Sequence, residues 1–269
     1  MSPVVEDRPE AATPHGTLWS ASAHDWAEIQ ERTIHPAWLA VLTELAPSRA
    51  EPLLDLGCGA GGFARLAAGR GVRVSGLDTA ARLVDIARTR IPAGDFRIGD
   101  MEHIPFPTAE FSAVTAFNSL HFARDPARVV EEAIRVTRPG GHIAITAWGP
   151  LADCDALAYF LDLGGLLPAM PHRVTPLPDQ TEPAAVRGLL SQAGLTVAPE
   201  RAIECRWEYP DLETALRGLL STGPAAAAIA HAGLARVTET ITGSIAPYRR
   251  SDGSYLLHNA CFTIIASVT

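Results

Sequence analysis

The chain of 269 residues is long enough for one large domain with a full hydrophobic core, or for one domain with a cap. Its content of 47% hydrophobic and 19% charged residues excludes an intrinsically disordered chain. The net charge of −8 argues against a nucleic acid as the main partner, because a phosphate backbone attracts clustered positive charge.

Cysteines and terminal residues narrow the class of protein further. Cys58, Cys154, Cys205 and Cys261 are widely spaced and form no CxxC pair, which predicts reduced core thiols and no metal site. Residues 1–14 are polar and proline-rich, unlike a signal peptide. No run of 18 apolar residues occurs, so we expect a cytoplasmic protein with no membrane partner.

The first half of the chain changes pattern near residue 52. Residues 1–17 are predicted to form a flexible tail, and residues 24–45 one or two helices with a break at Pro36. Short apolar runs then alternate with amphipathic helices. The predicted strands are 53–56, 72–77, 96–98, 111–117 and 142–147, and the predicted helices are 62–68, 80–90 and 126–138.

After Trp148 this alternation breaks. Helices are predicted at 183–193, 211–220 and 224–242, the second with Asp211 as its N-cap, and strands at 198–209 and 259–267. With the earlier strands, this predicts an α/β fold with a doubly wound, mostly parallel, seven-stranded Rossmann-like sheet. We expect a single domain over residues 18–269, with a helical lid formed by segments near 18–46, 151–181 and 211–250.

A glycine loop follows the first predicted strand. Residues 53–61 read LLDLGCGAG and lead directly into a predicted helix. Such a loop allows a ligand to approach the backbone and presents N–H groups to it. The loop alone is typical of several nucleotide-type cofactors, but its G-x-G-x-G spacing differs from the G-x-G-x-x-G of NAD-binding loops.

Four further landmarks follow the glycine loop in order. They are Asp78 at the end of the second strand, GDME at 99–102 followed by IPF at 104–106, FNSLHF at 117–122, and RVTRPGG at 135–141. Together the five landmarks resemble the class I S-adenosylmethionine-dependent methyltransferases of the small-molecule type, similar to the ubiquinone-pathway methyltransferases. The resemblance covers about residues 19–150. It implies that S-adenosylmethionine is bound and that S-adenosylhomocysteine is the product.

The resemblance also implies roles for residues along the sheet edge. Asp78 would accept hydrogen bonds from both ribose hydroxyls, and Asp100 would accept one from the adenine amino group while Met101 packs on the ring. A helix N-cap is the alternative role for Asp100. Gly57 and Gly59 would contact the methionine part of the ligand through their backbone.

Five more residues are expected around the same ligand. Asp55 would orient the loop and hold the ligand's amino group through water, Cys58 would fill a small space, and Asn118 would touch the methionine part. Trp19 and Trp26 resemble an aromatic helix that closes over the cofactor, with Trp26 where the family usually has Tyr; two core tryptophans are the alternative. The predicted cofactor-binding residues are therefore Trp19, Trp26, Asp55, Gly57, Cys58, Gly59, Asp78, Thr79, Asp100, Met101 and Asn118.

His121 is the candidate catalytic residue. As a general base it would take a proton from a hydroxyl or amine, and the alternative is that it packs behind the cofactor. His142 lies inside a predicted strand and is interpreted as a core histidine, whereas His231 and His258 lie in or near the lid and are candidates to face the substrate.

The lid composition predicts a small, largely apolar organic substrate. Its segments are rich in Leu and Ala and contain Tyr159, Phe160 and Trp207. The absence of lysine, with abundant Ala, Gly and Pro, is typical of a GC-rich genome and, with the cap, suggests a secondary-metabolite intermediate as substrate. We expect no nucleic-acid partner, and a monomer or homodimer.

Several functions remain open from the sequence. Methyl transfer to O, N or C is the leading hypothesis, because an apolar pocket that aligns the reactants can supply much of the catalysis. A methyltransferase-like fold that catalyses another reaction, such as a cyclisation, is the second hypothesis. A non-catalytic binding protein and an NAD-dependent dehydrogenase are the third and fourth.

Overall fold

The computed structural model describes residues 14–168 and 182–269, and begins with a mostly helical N-terminal segment. Helices α1 (Pro14–Ser20) and α2 (Ala23–Asp25) are followed by a π-helical turn (Trp26–Gln30), a 3-10 turn (Glu31–Ile34) and helix α3 (His35–Leu45).

Two predictions for this segment differ from the structure. Pro36 lies in the first turn of α3, where its missing N–H breaks no helical hydrogen bond, so it starts a helix instead of interrupting one. Helix α1 includes residues 14–17, which we expected to belong to the tail. The remainder of the predicted tail, residues 1–13, lies outside the described residues.

Strands and helices then alternate as predicted. The strands are β1 (Pro52–Leu56), β2 (Arg73–Asp78), β3 (Asp95–Ile98), β4 (Phe111–Phe117) and β5 (Thr137–Trp148). The helices between them are α4 (Gly62–Gly69), α5 (Ala81–Arg90) and α6 (Pro126–Val136). Strand β1 is buried along its whole length, as expected for a strand covered by helices on both faces.

The later strands complete one sheet. Helix α8 (Pro183–Gln192) precedes β6 (Thr196–Val197) and β7 (Arg201–Glu204), and the chain ends in β10 (Ala260–Ser267). The strand order is β3-β2-β1-β4-β5-β10-β6, with β7 pairing to another part of β10. Since β6 and β7 both lie along β10, the eight strands occupy seven positions. The five neighbouring strands β3, β2, β1, β4 and β5 are parallel, and β10 is antiparallel to β5. This arrangement confirms the predicted doubly wound α/β sheet.

A second, smaller core lies above the carboxyl edge of the sheet. It is formed by α7 (Ala156–Gly165), β8 (Trp207–Tyr209), α9 (Leu212–Leu220), α10 (Gly223–Ala232), α11 (Leu234–Ile245) and β9 (Tyr255–Leu257), which we call the cap. The buried members share one cluster that includes Tyr159, Leu219 and Ile241. Residues 169–181 of the expected lid lie outside the described residues.

The cap departs from the sequence prediction at two places. The predicted strand 198–209 is divided, because β7 pairs with β10 whereas β8 pairs with β9 inside the cap. The predicted helix 224–242 is two helices, because Gly233 has a φ of 83° and interrupts helical geometry between them. In the described residues, no helix is long and apolar enough to cross a membrane.

Candidate active site

The glycine loop turns sharply between β1 and α4. Gly57, Gly59 and Gly61 have φ values of 71°, 53° and 79°, a region that side-chain-bearing residues rarely adopt. A Cβ on Gly57 would lie 2.3 Å from the Cβ of Ser119, so this glycine is required by close packing within the chain. The positive φ values and the close approach to Ser119 therefore explain why glycines occupy this loop. The backbone of Gly57 and Gly59 lines the space above the sheet.

Asp78 ties the loop to the end of β2. Its Oδ2 accepts a hydrogen bond from Gly59 N at 2.8 Å, and its Oδ1 accepts one from Ala80 N at 2.8 Å. Burial raises the pKa of Asp78, and the backbone N–H donors oppose that rise. Each carboxylate oxygen keeps a second lone pair, so the predicted contact with a diol is compatible with these two bonds.

Asp55 lies at the end of β1 and is 3% exposed. Thr115 Oγ1 donates to Asp55 Oδ1 at 2.7 Å. Burial raises the pKa of Asp55 to about 8, the Thr115 hydroxyl opposes the rise, and the charges of Glu31 and Asp78 add to it. Without a ligand this carboxyl is therefore largely protonated at neutral pH, and a bound cation would favour its ionised form.

Glu31 is a site residue that the sequence analysis missed. It is 7% exposed, and its Oε1 accepts from Ala60 N at 2.8 Å and Gly62 N at 3.3 Å. Arg90 Nη1 donates to Glu31 Oε2 at 2.7 Å, and the same guanidinium donates to Ala27 O. The glycine loop is thus joined to the N-terminal segment by contacts that span 29 to 63 residues of sequence, for which no local pattern gives a signal.

Five polar side-chain atoms are buried without a partner among the described residues, and three of them belong to predicted site residues: Trp26 Nε1, Asn118 Oδ1 and His121 Nδ1. All three residues line the same cavity. Trp26 Nε1 lies 3.4 Å from the position that a Cβ on Gly59 would take. Since buried polar groups are ordinarily hydrogen-bonded, these atoms indicate the positions of polar groups on a ligand.

Asn118 has a strained backbone at the carboxyl end of β4. Its φ of 47° lies in the left-handed region, which asparagine tolerates better than most residues. A hydrogen bond with Cys205, and then burial, raise the pKa of Cys261 well above its usual value, and the Asn118 side chain opposes that rise. The Asn118 amide oxygen is buried without a hydrogen-bond partner among the described residues.

His121 is held in a partly apolar wall. Its ring lies 4.1 Å from the Phe122 ring, and Phe122 lies 4.7 Å from His15 of α1. Burial, and to a smaller extent repulsion from His15, lowers the pKa of His121 to about 3. The imidazole is consequently neutral at physiological pH.

Asp100 and Met101 follow β3 and line the cavity. Asp100 Oδ1 accepts from Glu102 N at 2.9 Å, so the alternative role as a local backbone cap is present in the structure. Only one oxygen takes part in that bond, and Met101 packs at the edge of the main core. These contacts leave the adenine roles of both residues as predictions.

One cavity of about 940 Å³ joins the sheet edge to the cap. All twelve residues predicted from the sequence line it. At the cap end it is lined by Trp148, Phe160 and Trp207, whose ring centroids lie 5.6 to 6.3 Å apart. The cavity therefore combines a polar end at the glycine loop with an aromatic end in the cap.

The structure also shows the surroundings of the three remaining candidate histidines and of the four cysteines. His258 is exposed and paired with Glu204 at 2.9 Å, and neither it nor His231 is among the described lining residues, so the expectation that they face substrate is wrong. His142 is bonded to Ser267 as a core histidine. All four cysteines are free and buried, as predicted, although each also lines the cavity.

Comparison with known proteins gives one matching family. Residues 54–145 match the family described as Methyltransferase domain. This region includes the glycine loop and strands β2 to β4, and ends within β5. The cap lies outside the matched region.

Two curated relatives match over limited lengths. The malonyl-[acyl-carrier protein] O-methyltransferase of Serratia marcescens is 41% identical over 93 residues, which are 35% of this chain and 36% of that protein. The 27-O-demethylrifamycin SV methyltransferase of Amycolatopsis mediterranei is 35% identical over 140 residues, 48% of this chain and 52% of that protein. The chain thus spans about half or less of the length of these relatives.

A solved structure resembles the fold more completely. The [4+2]-cyclase SpnF has a TM-score of 0.57 at 19% identity, over 86% of this chain and 79% of that protein. At this identity the likeness extends to the fold alone.

Proposed function

We propose that the chain is a class I S-adenosylmethionine-dependent methyltransferase, because residues 54–145 match the methyltransferase domain family, and that it transfers a methyl group from S-adenosylmethionine to an O, N or C atom of a small, largely apolar molecule. S-adenosylmethionine is the methyl donor of this family. An intermediate of secondary metabolism is the substrate class that we favour, in keeping with the rifamycin-related relative.

The observation that carries this proposal is the continuity of the cavity. The residues expected around the donor and the aromatic residues of the cap line one space. A methyl group can pass directly between two molecules only if both are held in contact and shielded from water. Such a space is suited to a direct transfer.

The chain's own residues fit the donor by charge and hydrogen bonding. Bound S-adenosylmethionine supplies an electrophilic methyl group on a positively charged sulfur. Asp78 would accept from the ribose, Asp55 would balance the amino group, and Trp26 would donate its indole N–H to the carboxylate. Trp148, Phe160 and Trp207 would hold the substrate by apolar contact and exclude water.

The test is a methyl-transfer assay. Purified protein is incubated with S-adenosylmethionine and a panel of neutral aromatic and aliphatic alcohols, phenols and amines, and S-adenosylhomocysteine and product mass are followed together. We expect a gain of one methyl group that matches the S-adenosylhomocysteine formed. A product without methyl gain would contradict methyl transfer, and binding of NAD instead of S-adenosylmethionine would contradict the donor site.

The indole N–H of Trp26 is expected to contribute to donor affinity. Trp26→Phe should weaken S-adenosylmethionine binding about tenfold, because one hydrogen bond to a charged group is lost. Trp26→Tyr should recover part of the loss, since the phenol can also donate. Trp38→Phe is the control, as Trp38 lines the same cavity without an unpartnered buried nitrogen. Equal losses in the Trp26→Phe and Trp38→Phe variants would contradict the assignment.

Asp55 is expected to make donor binding depend on pH. Affinity for S-adenosylmethionine should rise by up to about tenfold per pH unit from pH 6 towards pH 8, because the bound ammonium requires the ionised carboxyl. Above that range the increase should cease as the ligand's own amino group loses its proton. Calorimetry across pH should give a flat acidic limb for Asp55→Asn, and a flat limb in the wild type would contradict the role.

The raised pKa of Asp55 should also affect the stability of the ligand-free protein. A carboxyl whose pKa is raised on folding stabilises the fold below its unfolded pKa, and this contribution is lost as pH rises through the folded pKa of about 8. Thermal unfolding should therefore show Asp55→Asn gaining stability relative to wild type as the pH rises from 4 to 8.

Thr115→Val, which removes the hydroxyl that lowers the pKa of Asp55, should move the midpoint of donor binding to higher pH.

A further inference from the structure

The N-terminus of helix α4 is closed by a carboxylate from a distant part of the chain. Gly61, the residue before the helix, has no side chain with which to cap it. Glu31 Oε1 instead accepts the hydrogen bonds of Ala60 N and Gly62 N. Free N–H groups at a helix start ordinarily attract an anion such as phosphate. In this chain the Glu31 carboxylate takes the place of such an anion.

The contacts of Glu31 are those of an ionised carboxylate. Every hydrogen bond described for its side chain is accepted, two from the backbone and one from Arg90. Burial raises the pKa of Glu31, and these three donors oppose the rise. The guanidinium lies behind Glu31 and is not among the described lining residues, whereas Glu31 is at the cavity wall.

Acidic side chains outnumber arginines in the wall of the cavity that Glu31 lines. Among the described lining residues five are carboxylates and one is an arginine: Glu31, Asp55, Asp78, Asp100, Glu102 and Arg124. Glu31 Oε1 lies 3.1 Å from the position that a Cβ on Gly59 would take, and Gly59 is the glycine whose backbone is expected to contact the methionine part of the donor. A charge on a ligand at this point of the loop is therefore close to the Glu31 carboxylate.

We propose that Glu31 sets the charge preference of this pocket, so that it favours the sulfonium-bearing methyl donor over the uncharged thioether of the product. The inference rests on the proposed function. The donor and the product carry the same ammonium and carboxylate, and differ by the methyl group and the positive charge on sulfur. Because Glu31 faces the cavity and Arg90 lies behind it, the negative end of this ion pair stabilises the donor more than the product, and so favours exchange of spent product for fresh donor.

The test is the ratio of donor to product affinity. Calorimetry measures S-adenosylmethionine and S-adenosylhomocysteine binding to wild type and Glu31→Gln at low ionic strength. The variant should lose donor affinity at least about threefold more than product affinity, since only the donor carries the sulfonium charge. Glutamine keeps an oxygen for the loop N–H groups, so the loop contact is largely retained.

Glu132→Gln is the matched control. Glu132 is also buried, accepts from Ile104 N at 2.9 Å and pairs with Arg135 at 2.8 Å, yet it is not among the described lining residues. Its substitution should leave the affinity ratio unchanged. An equal loss of both ligands in Glu31→Gln would overturn the inference, because a purely structural cap predicts that result.

Two further outcomes separate the inference from the proposed function. If the wild type binds neither ligand, the proposed function fails and the inference fails with it. If Glu31→Gln does not fold, Glu31→Gln/Arg90→Gln, which leaves no unpaired charge, replaces it. The double variant should shift the ratio in the same direction by a smaller amount, because Arg90 lies farther from the cavity. An unchanged ratio in a folded double variant would overturn the inference.

Discussion

Replacing Asp78 with alanine is expected to weaken S-adenosylmethionine binding by at least about 100-fold, since two charge-assisted hydrogen bonds to the ribose are lost at about 1.5–3 kcal/mol each. The variant also removes the acceptor for Gly59 N and Ala80 N, which leaves the loop less well fixed. Both effects act on the donor end of the cavity. Calorimetry with S-adenosylmethionine and circular dichroism of the ligand-free variant measure them separately.

The control for Asp78→Ala lies one strand away. Asp95→Ala removes an exposed carboxylate at the start of β3 that pairs with Arg97 at 2.6 Å, remote from the described cavity lining. It should leave donor affinity unchanged. Undiminished affinity in a folded Asp78→Ala variant would refute the ribose assignment, and measurable NAD binding by the wild type would favour a dinucleotide site instead.

The sheet was predictable because its strands carry their own signal. Strands β1, β2 and β4 are short apolar runs between turn residues, and their predicted bounds differ from the observed ones by at most one residue. Parallel strands covered by helices on both faces must be apolar along their length. The landmarks at their carboxyl ends then fall at one edge of the sheet, which is why ten of the twelve predicted residues reach one cavity, whereas Trp19 and Trp26 reach it from the N-terminal helical segment.

The cap was less predictable because its boundaries depend on tertiary contacts. The run 198–209 is predicted as one strand, but residues 201–204 and 207–209 pair with different strands. Gly233 separates an alanine-rich helix from a second helix that buries Val237, Ile241 and Ile245 at helical spacing, and the two were predicted as one. The pairing partner of each strand and the direction of each helix are decided by packing, which local propensity does not describe.

Glu31 illustrates what sequence reasoning omits at the site. Its role depends on Ala60 and Gly62, 29 and 31 residues away, and on Arg90. A glutamate in a helical segment ordinarily faces solvent, so its type and position predict nothing unusual. Glu31 reaches the glycine loop only because the N-terminal segment folds over it. This contact depends on two distant parts of the sequence, so neither part predicts it alone.

Substitution of His121 tests whether this residue is the general base. If it accepts the substrate proton, His121→Gln should lower kcat about 100-fold with little change in donor affinity, the usual size of a general-base effect. A weak base suffices for transfer to a neutral hydroxyl, because the oxygen becomes strongly acidic as the new C–O bond forms. The unpartnered Nδ1 of His121 is available for that proton.

The pH profile and a second histidine test this role of His121. Because burial lowers the pKa of His121 to about 3, the imidazole is already neutral above about pH 4, and kcat should show no acidic limb from it between pH 6 and pH 8. His15→Gln, on the same wall beside Phe122, should alter ligand affinity more than kcat. An unchanged kcat in His121→Gln would instead assign this ring to packing behind the cofactor, and methyl transfer would then rely on alignment in the cavity alone.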